Sequence, residues 1–302
     1  MTGMSGYCDW IAVDWGTSHL RAWAMQGDKP RAEARSDAGM GTLDPTGFEP
    51  ALLALVEPWM GAAPIEVLMC GMVGSRQGWA EAPYRPVPCT PLGPEHGRPA
   101  TRDGRLRVRI VPGLKQAHPA DVMRGEETQI AGFLATHANF DGVLCLPGTH
   151  TKWVQVSAGE VVSFRTFMTG EMFALLSRQS VLRHSVGAGW DDDAFDEAVG
   201  STLARPETLA QRLFTIRAVG LLSGAEPGRA TATLSGVLLG AELAASRPYW
   251  LGQRVAVIGA TDPARSYIAA LRLQGVDPEV ADGDAMVLAG LVAARSMAKA
   301  PV

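Results

Sequence analysis

Apolar and polar positions along the chain predict strands and helices in a recognisable order. Tyr7–Asp14 (YCDWIAVD) reads as a strand, a Gly-Thr-Ser turn follows, and HLRAWAM continues as the second strand of a hairpin. A third strand is expected near Lys29–Asp37. Across Pro45–Met60 the residues Phe48, Leu52, Leu55, Val56 and Trp59 recur at helical spacing. Ile65–Cys70 (IEVLMC) is a short apolar run of the kind a parallel sheet buries on both faces, and it runs into the glycine-rich loop GMVGSRQGW. The proline-rich stretch Ala82–Thr101 is expected to be irregular, a surface excursion or a lid. Arg105–Val111 alternates as a strand.

A second set then begins. Arg124–Ala138 is expected to be helical, Asp141–Pro147 a strand, Lys152–Val156 and Glu160–Phe167 two more strands. Glu171–Arg183, Ser201–Ser223 and Ala232–Ser246 have helical spacing, Gln253–Ile258 is a buried strand, and Pro263–Gln274 and Asp284–Lys299 close the chain as helices. The two sets match in sequence. IAVDWGTSHLRAW pairs with LCLPGTHTKWVQV, ARSDAGMGT with FRTFMTGEM, and IEVLMCGMVGS with RVAVIGATDPA, in the same order. Three ordered matches point to a duplicated β-β-β-α-β-α unit.

Composition narrows the function classes. The 302 residues suit two domains, placed at 1–120 and 121–302. With 31 acidic and 27 basic residues the net charge is −4, which argues against a nucleic-acid partner that needs a broad basic surface. A 47% hydrophobic share supports a large core, and 34 Gly with 20 Pro suggest loop-rich functional parts. No apolar run is long enough for a membrane span, and the start does not read as a signal peptide, so a cytoplasmic protein without a membrane partner is expected. The four cysteines are far apart, which argues against a disulfide framework or zinc site; Cys70 and Cys145 read as buried thiols. The Asp191-Asp192-Asp193 run reads as solvated.

The chemistry concentrates in the two hairpins. Asp14-Trp15-Gly16-Thr17-Ser18 puts a glycine at the tip, where backbone N–H groups can meet an anion, with Thr17 and Ser18 adding hydroxyl donors. Asp14, ending a buried strand, is suited to hold Mg²⁺ directly or through water, or else to bond its own loop. Gly148, Thr149, His150 and Lys152 repeat the design. Two such hairpins facing a cleft would supply the donors that β- and γ-phosphates need.

Together these segments resemble the sugar kinases of the actin–hexokinase–Hsp70 superfamily, whose first hairpin reads D-x-G-T-S/T and ends in Arg, as DWGTSHLR does here. The resemblance implies an α/β fold of two RNase-H-like, actin-like ATPase domains with an interdomain cleft. It also implies ATP and Mg²⁺ as cofactors. Gly125-Glu126-Glu127-Thr128-Gln129-Ile130-Ala131 stands where such kinases carry G-D-Q/N-x-x-A, which implies Glu126 as the base, with Asp121 as its rival. Gly259-Ala260-Thr261 stands at the adenosine loop, with Tyr267 and Leu271 on the helix after it. More narrowly, GMVGSRQGWAEAPYRPVPC, DVMRGEETQIAGF, LCLPGTHTKWV and FMTGEMF resemble the 2-dehydro-3-deoxygalactonokinase family. That implies phosphorylation of the 6-hydroxyl of 2-dehydro-3-deoxy-D-galactonate in galactonate catabolism. Against this keto acid, Arg76 is the expected carboxylate fork, Ser75 and Gln77 the hydroxyl ligands and Trp79 an apolar wall. Arg165, Thr169 and Glu171 are further candidates, and Arg85 would reach the ligand only if its segment folds over the cleft. A sugar-acid sensor on the same fold, a kinase for the gluconate-derived epimer or for another small sugar, and acyl-phosphate or polyphosphate chemistry are the alternatives. A homodimer is compatible with all of them.

Overall fold

The structure, a computed structural model, describes residues 8–224, 226–259 and 262–299. Tyr7, Ala260 and Thr261 lie outside the described residues. In chain order the first elements are β1 (Trp10–Trp15), β2 (Leu20–Gln26), β3 (Lys29–Ser36), α1 (Phe48–Val56), β4 (Ile65–Cys70), β5 (Tyr84–Pro86), β6 (Leu106–Ile110), β7 (Gly113–Gln116), β8 (Asp121–Met123) and α2 (Glu126–Thr136). Then come β9 (Gly142–Leu146), β10 (Thr151–Ser157), β11 (Glu160–Phe167), α3 (Thr169–Gln179), α4 (Asp192–Ala204), α5 (Leu209–Ser223), α6 (Pro227–Ala245), α7 (Arg247–Trp250), β12 (Val255–Ile258), α8 (Asp262–Leu273), β13 (Glu279–Ala281) and α9 (Gly283–Lys299).

The duplication is visible in topology. One five-stranded sheet runs β3-β2-β1-β4-β6 and the other β11-β10-β9-β12-β13, so each places its third, second, first, fourth and fifth strands in the same order. In each, the first two strands form a hairpin and the fourth lies parallel to the first. A backbone detail repeats too. The Gly41 N–H donates to Thr17 O (2.9 Å) and the Glu171 N–H to Thr149 O (3.0 Å). When RSDAGMGT is set on RTFMTGEM, Gly41 and Glu171 occupy the same position.

The chain divides into two compact units. The first runs through Phe140 and also takes Ala158–Val162 and everything from Gly283 onward; the second is Asp141–Ser157 with Ser163–Asp282. The expected boundary at residue 120 therefore differs from the contact division. The reason is helix packing. At Gly132 of α2 a Cβ would lie 1.9 Å from Met286 O, and at Gly290 of α9 it would lie 1.9 Å from Thr128 O. Side chains of any size would hold these helices apart, so the sequence builds a backbone-to-backbone crossing that ties α2 and α9 into the first unit.

The first sheet is buried on both faces, and strand alternation decides which residue faces what. Ile11, Val13 and Trp15 pack with Phe48, Leu52 and Val56 of α1. Trp10 and Ala12 pack with Ala131 of α2 and Val287 and Leu291 of α9. Asp14 continues the second series. Its register partner on β4 is Cys70, which belongs to the same cluster as Ala131 and Val287.

Several elements depart from expectation for identifiable reasons. The proline-rich segment is not wholly irregular. Tyr84–Pro86 pairs in a small sheet ordered β5-β7-β8, Arg85 donates to the carbonyls of Thr90 (2.5 Å) and Leu92, and Gly97 exchanges both backbone bonds with Ile110 at 2.9 Å. These bonds pin it to the first unit, and Arg85 is spent within its own segment. The expected helix from Arg124 starts at Glu126, because Gly125 has φ +107° and breaks the turn before it. The expected helix Ser201–Ser223 is split at Pro206, which has no N–H to continue the ladder and heads a 3₁₀ turn. The helix expected from Glu171 to Arg183 begins at Thr169, so Thr169-Gly170-Glu171 is a first helical turn, and it ends at Gln179. Asp191 caps α4 by accepting from the Ala194 N–H at 2.9 Å, so the aspartate run is a helix start.

The second unit buries a polar anchor. Glu242 of α6, 3% exposed, accepts from Trp153 Nε1 (2.7 Å) and Tyr267 Oη (2.6 Å), and Tyr267 Oη lies 2.8 Å from Thr151 Oγ1. This carboxylate joins β10, α6 and α8. Leaving a buried donor unmade costs roughly 1–3 kcal/mol, so Glu242→Leu is expected to destabilise the protein by about 3 kcal/mol or more. Glu242→Gln, which keeps one acceptor oxygen, should lose less. Urea unfolding curves check this, and an unchanged midpoint for Glu242→Leu would refute it.

Candidate active site

In the first unit the ends of β1 and β4 and the start of α2 converge. Asp14 Oδ2 accepts from Arg21 Nη2 at 3.1 Å, across the β1–β2 register that sets the two opposite each other. Arg21 also pairs with Asp284 in the first turn of α9, and Arg35 approaches the same carboxylate at 3.4 Å. Among the described residues, Asp14 Oδ1 has only the weak Cys70 thiol donor at 3.8 Å. Burial raises the Asp14 pKa, with Arg21 opposing it.

Gly71, after β4, has φ +94°, and a Cβ there would lie 2.7 Å from Trp15 O and 3.3 Å from Asp14 Oδ1. Only glycine suits both the conformation and the space. A Cβ on Gly125 would in turn lie 3.3 Å from Gly71 Cα. The two glycines thus bring the head of α2 against the loop that follows β4, on which Gly71 faces Asp14. Glu126 Oε2 accepts from the Arg124 N–H at 3.1 Å, and Glu127 Oε2 accepts from the Gly125 N–H at 2.7 Å. The two carboxylates differ in setting. Glu126 is half-buried. Glu127 is fully buried, its Oε1 takes the Thr128 hydroxyl at 3.2 Å, and burial, with the Glu126 charge second, pushes its pKa up to about 8. Asp121 sits elsewhere, at the start of β8 opposite Gln116, beside the β7–β8 turn and at the far end of the strand from Gly125.

The loop after β4 departs from expectation. Arg76, the expected carboxylate fork, has its side chain 80% exposed and lies 3.7 Å from Glu81. Gln77 is also exposed. Trp79 stacks on Phe48 (6.3 Å between centroids) and meets Trp15 edge-on (6.2 Å), so it braces α1, and it also lines a cavity with Glu49, Leu53 and Arg102. Ser75 is 5% exposed, and its hydroxyl has no partner. Two residues that sequence reasoning passed over stand out: Glu127, and Arg124, which is 7% exposed. The signal available was the Arg-Gly-Glu-Glu run itself, a cation and two anions against a glycine that needs positive φ.

At the first hairpin, the Gly16 N–H is used by His19 O (3.0 Å), and the Gly16 and Thr17 carbonyls accept from Met40 and Gly41. Thr17 and Ser18 are exposed, and His19 approaches Asp37 at 3.3 Å.

In the second unit, the β9–β10 hairpin carries Gly148, Thr149, His150 and Lys152. A side chain on Gly148 would meet nothing within 4 Å, although its N–H donates to Thr151 Oγ1 at 3.4 Å and its carbonyl packs against Gly170, and Thr149 is exposed. His150 Nε2 lies 2.6 Å from Glu171 Oε2, which ties the hairpin to α3. Lys152 is buried, with Nζ donating to His150 O at 3.1 Å, so it supports the hairpin from inside. Thr169 bonds Glu242 and joins the buried network, and Arg165 Nη1 donates to Phe164 O at 3.0 Å. Gly259 follows β12, with its N–H on Ala281 O at 2.9 Å; Ala260 and Thr261 are outside the described residues. Tyr267 and Leu271 are core residues, 5% and 0% exposed.

Among the described residues no group of three His, Cys, Asp or Glu side chains forms a metal cage. A divalent ion here would take one carboxylate with phosphate and water oxygens, which is how Mg²⁺ is commonly held. Asp14 fits that role, since Oδ1 lacks a strong donor and burial disfavours its charge unless a cation stands near.

A family model described as 2-keto-3-deoxy-galactonokinase matches residues 14–294. The chain is 40% identical to a probable 2-dehydro-3-deoxygalactonokinase of Rhizobium meliloti (strain 1021), covering 96% of this chain and 97% of that one. It is 37% identical to the 2-dehydro-3-deoxygalactonokinase of Escherichia coli (strain K12), covering 96% and 98%. A crystal structure from Sinorhizobium meliloti, described under the same enzyme name, superposes with TM-score 0.89 at 36% identity over 97% of this chain and 98% of that one. The activator of 2-hydroxyisocaproyl-CoA dehydratase from Clostridium difficile, solved with bound ADPNP, shares the fold at TM-score 0.53 and 13% identity, covering 96% and 95%.

The buried Glu127 gives a pH signature. Its folded pKa of about 8 stands above the ordinary 4.5, so the folded state holds a proton that the unfolded chain releases. That contribution is fully present below about pH 4.5 and is lost as pH rises through about 8. The melting temperature of the wild type is expected to fall across this window, and that of Glu127→Gln to fall less. Melting curves at several pH values decide it, and parallel slopes in the two proteins would remove Glu127 as the cause.

Proposed function

The chain belongs to the 2-keto-3-deoxy-galactonokinase family, and on that premise we propose that it transfers the γ-phosphoryl group of ATP to the 6-hydroxyl of 2-dehydro-3-deoxy-D-galactonate. The products are the 6-phosphate and ADP, the pathway is galactonate catabolism, and the compartment is the cytoplasm. The partners are small molecules, the sugar acid and ATP.

Glu126 is the base in this reading. It holds the acceptor hydroxyl by a hydrogen bond and takes its proton as the oxygen attacks the γ-phosphorus in line. A loose transition state leaves the hydroxyl proton in place until late, so a carboxylate can serve as the base. The observation that carries the assignment is the Gly71–Gly125 contact, which sets the head of α2 beside Asp14 while Asp121 lies at the other end of β8. Asp14, oriented by Arg21, would hold Mg²⁺ arriving with ATP; the ion supplies neutralising charge at the phosphates. Thr17 and Ser18 in the first unit, and Thr149 in the second, are the assigned phosphate donors, while Gly16 and Gly148 shape the two turns with their N–H groups held by His19 O and Thr151 Oγ1. His150, fixed by Glu171, adds a donor at the second hairpin. Gly259, at the carboxyl end of β12, remains the adenosine-loop residue, since ligands of α/β sheets gather at that end.

Glu126→Gln is expected to lower kcat by roughly a hundredfold or more with KM nearly unchanged. Asp121→Asn should leave both intact. ADP release coupled to a reporter reaction, with the keto acid as acceptor, measures it. Full activity in Glu126→Gln would take the base role from that residue. ADP release on glycerol or xylulose but not on 2-keto-3-deoxy acids would overturn the substrate.

A further inference from the structure

Arg124 and Ser75 form the most unusual polar pair in the first unit. Arg124 follows β8 and is 7% exposed. Its Nη2 donates to Ala82 O at 2.8 Å, its Nε approaches Tyr84 Oη at 3.4 Å, and its Cζ lies 4.2 Å from the Tyr84 ring centroid. These contacts fix the guanidinium plane, yet Nη1 has no hydrogen-bond partner. Ser75 Oγ, also buried, has none either. Gly74 links the two. A Cβ on Gly74 would lie 2.9 Å from Arg124 Nη1, so the missing side chain lets the guanidinium reach the backbone next to Ser75.

A buried guanidinium is costly unless an anion accompanies it. Among the described residues no carboxylate is within ion-pair distance of Arg124, and the exposed Arg76 is already beside Glu81. The nearest acids do not change this. Glu126 bonds the Arg124 backbone N–H, not its guanidinium, and Glu127 is held toward its protonated form by burial. Two fixed, unsatisfied donors, one in the loop after β4 and one after β8, meet at Gly74 and call for a ligand with adjacent acceptors.

We propose that Arg124 Nη1 and Ser75 Oγ are the receptor for the 2-oxo-carboxylate end of the acceptor, with Gly74 as the gap that admits the pair. This rests on the keto-acid kinase reading. A carboxylate and its neighbouring keto oxygen are nearly coplanar acceptors, suited to an N–H and an O–H presented side by side. Scale agrees as well. From the backbone N–H that binds Glu126 to Nη1, the arginine spans about as many bonds as a six-carbon acid does from its terminal oxygen to its carboxylate. An acid of that length is long enough to join the guanidinium at one end to Glu126 at the other.

The test is equilibrium binding, with ADP release measured in parallel. 2-Dehydro-3-deoxy-D-galactonate and its C1 carboxamide are titrated into the wild type, Arg124→Met and Ser75→Ala. A charged hydrogen bond predicts that the wild type prefers the acid by roughly 10- to 100-fold and that Arg124→Met erases the preference. Ser75→Ala, which removes a single oxygen, should weaken both ligands several-fold and guards against a misfolded arginine variant. An acid preference that survives in Arg124→Met, or equal binding of acid and amide by the wild type, overturns the receptor. Wild type that binds the acid selectively but releases no ADP sinks the kinase reading and leaves the receptor standing.

Discussion

The crossing of α2 over α9 sets the geometry of the first unit. Gly132 and Gly290 remove the side chains that would separate the helices, so backbone meets backbone. Each helix then delivers something to the end of the sheet. α9 presents Asp284 to Arg21, and Arg21 turns to Asp14. α2 presents Glu126 and Glu127 at its first turn, against Gly71. A larger residue at either crossing glycine would move both helix starts, so distant packing and the placement of carboxylates are one constraint. That is also why the last helix belongs to the first unit, although the whole of the second unit lies before it in the chain.

Strand alternation supplies the other half. Trp10 and Ala12 face the two helices, so Asp14 must as well, and the parallel register sets Cys70 beside it. The same alternation sends Trp15 toward α1, where Phe48 and Trp79 close over it. An aspartate at the end of a hydrophobic strand is thereby held at a junction where burial opposes its charge. Arg21 and Asp284 keep it oriented without supplying net positive charge, because the two flanking groups nearly cancel.

Much of this was legible in the sequence. Strand runs of alternating or continuous apolar residues gave every strand of both five-stranded sheets except the three-residue β13, and the matched hairpins gave the duplication. The glutamate pair at Gly125 was legible as a motif by resemblance. What was not legible was side-chain direction within loops. Nothing local distinguishes Arg76, which projects into solvent, from Arg124, which is buried. Both lie within two residues of a glycine, and the packing of Ala82, Tyr84 and Gly74 decides between them. Helix interruptions were missed for a similar reason. The pattern over 201–223 stays apolar through Pro206, and only the missing N–H breaks the ladder.

The charge balance acquires a spatial meaning from this. A chain of net charge −4 that takes a sugar acid and a nucleotide must place its cations where water does not screen them. Exposed lysines and arginines would attract anions only weakly, and Arg76 is of that kind. Arg21 and Arg124 are buried or nearly so, where each unit of charge acts through a low dielectric. The two are nonetheless used differently. Arg21 is saturated by two carboxylates and serves orientation, while Arg124 is held by a carbonyl, a phenol and a ring face, all neutral. Neutral partners fix a guanidinium without discharging it. The neighbouring Glu127, pushed toward its protonated form, preserves that imbalance near neutral pH, so the site keeps an attraction for an anion that an ionised glutamate would cancel.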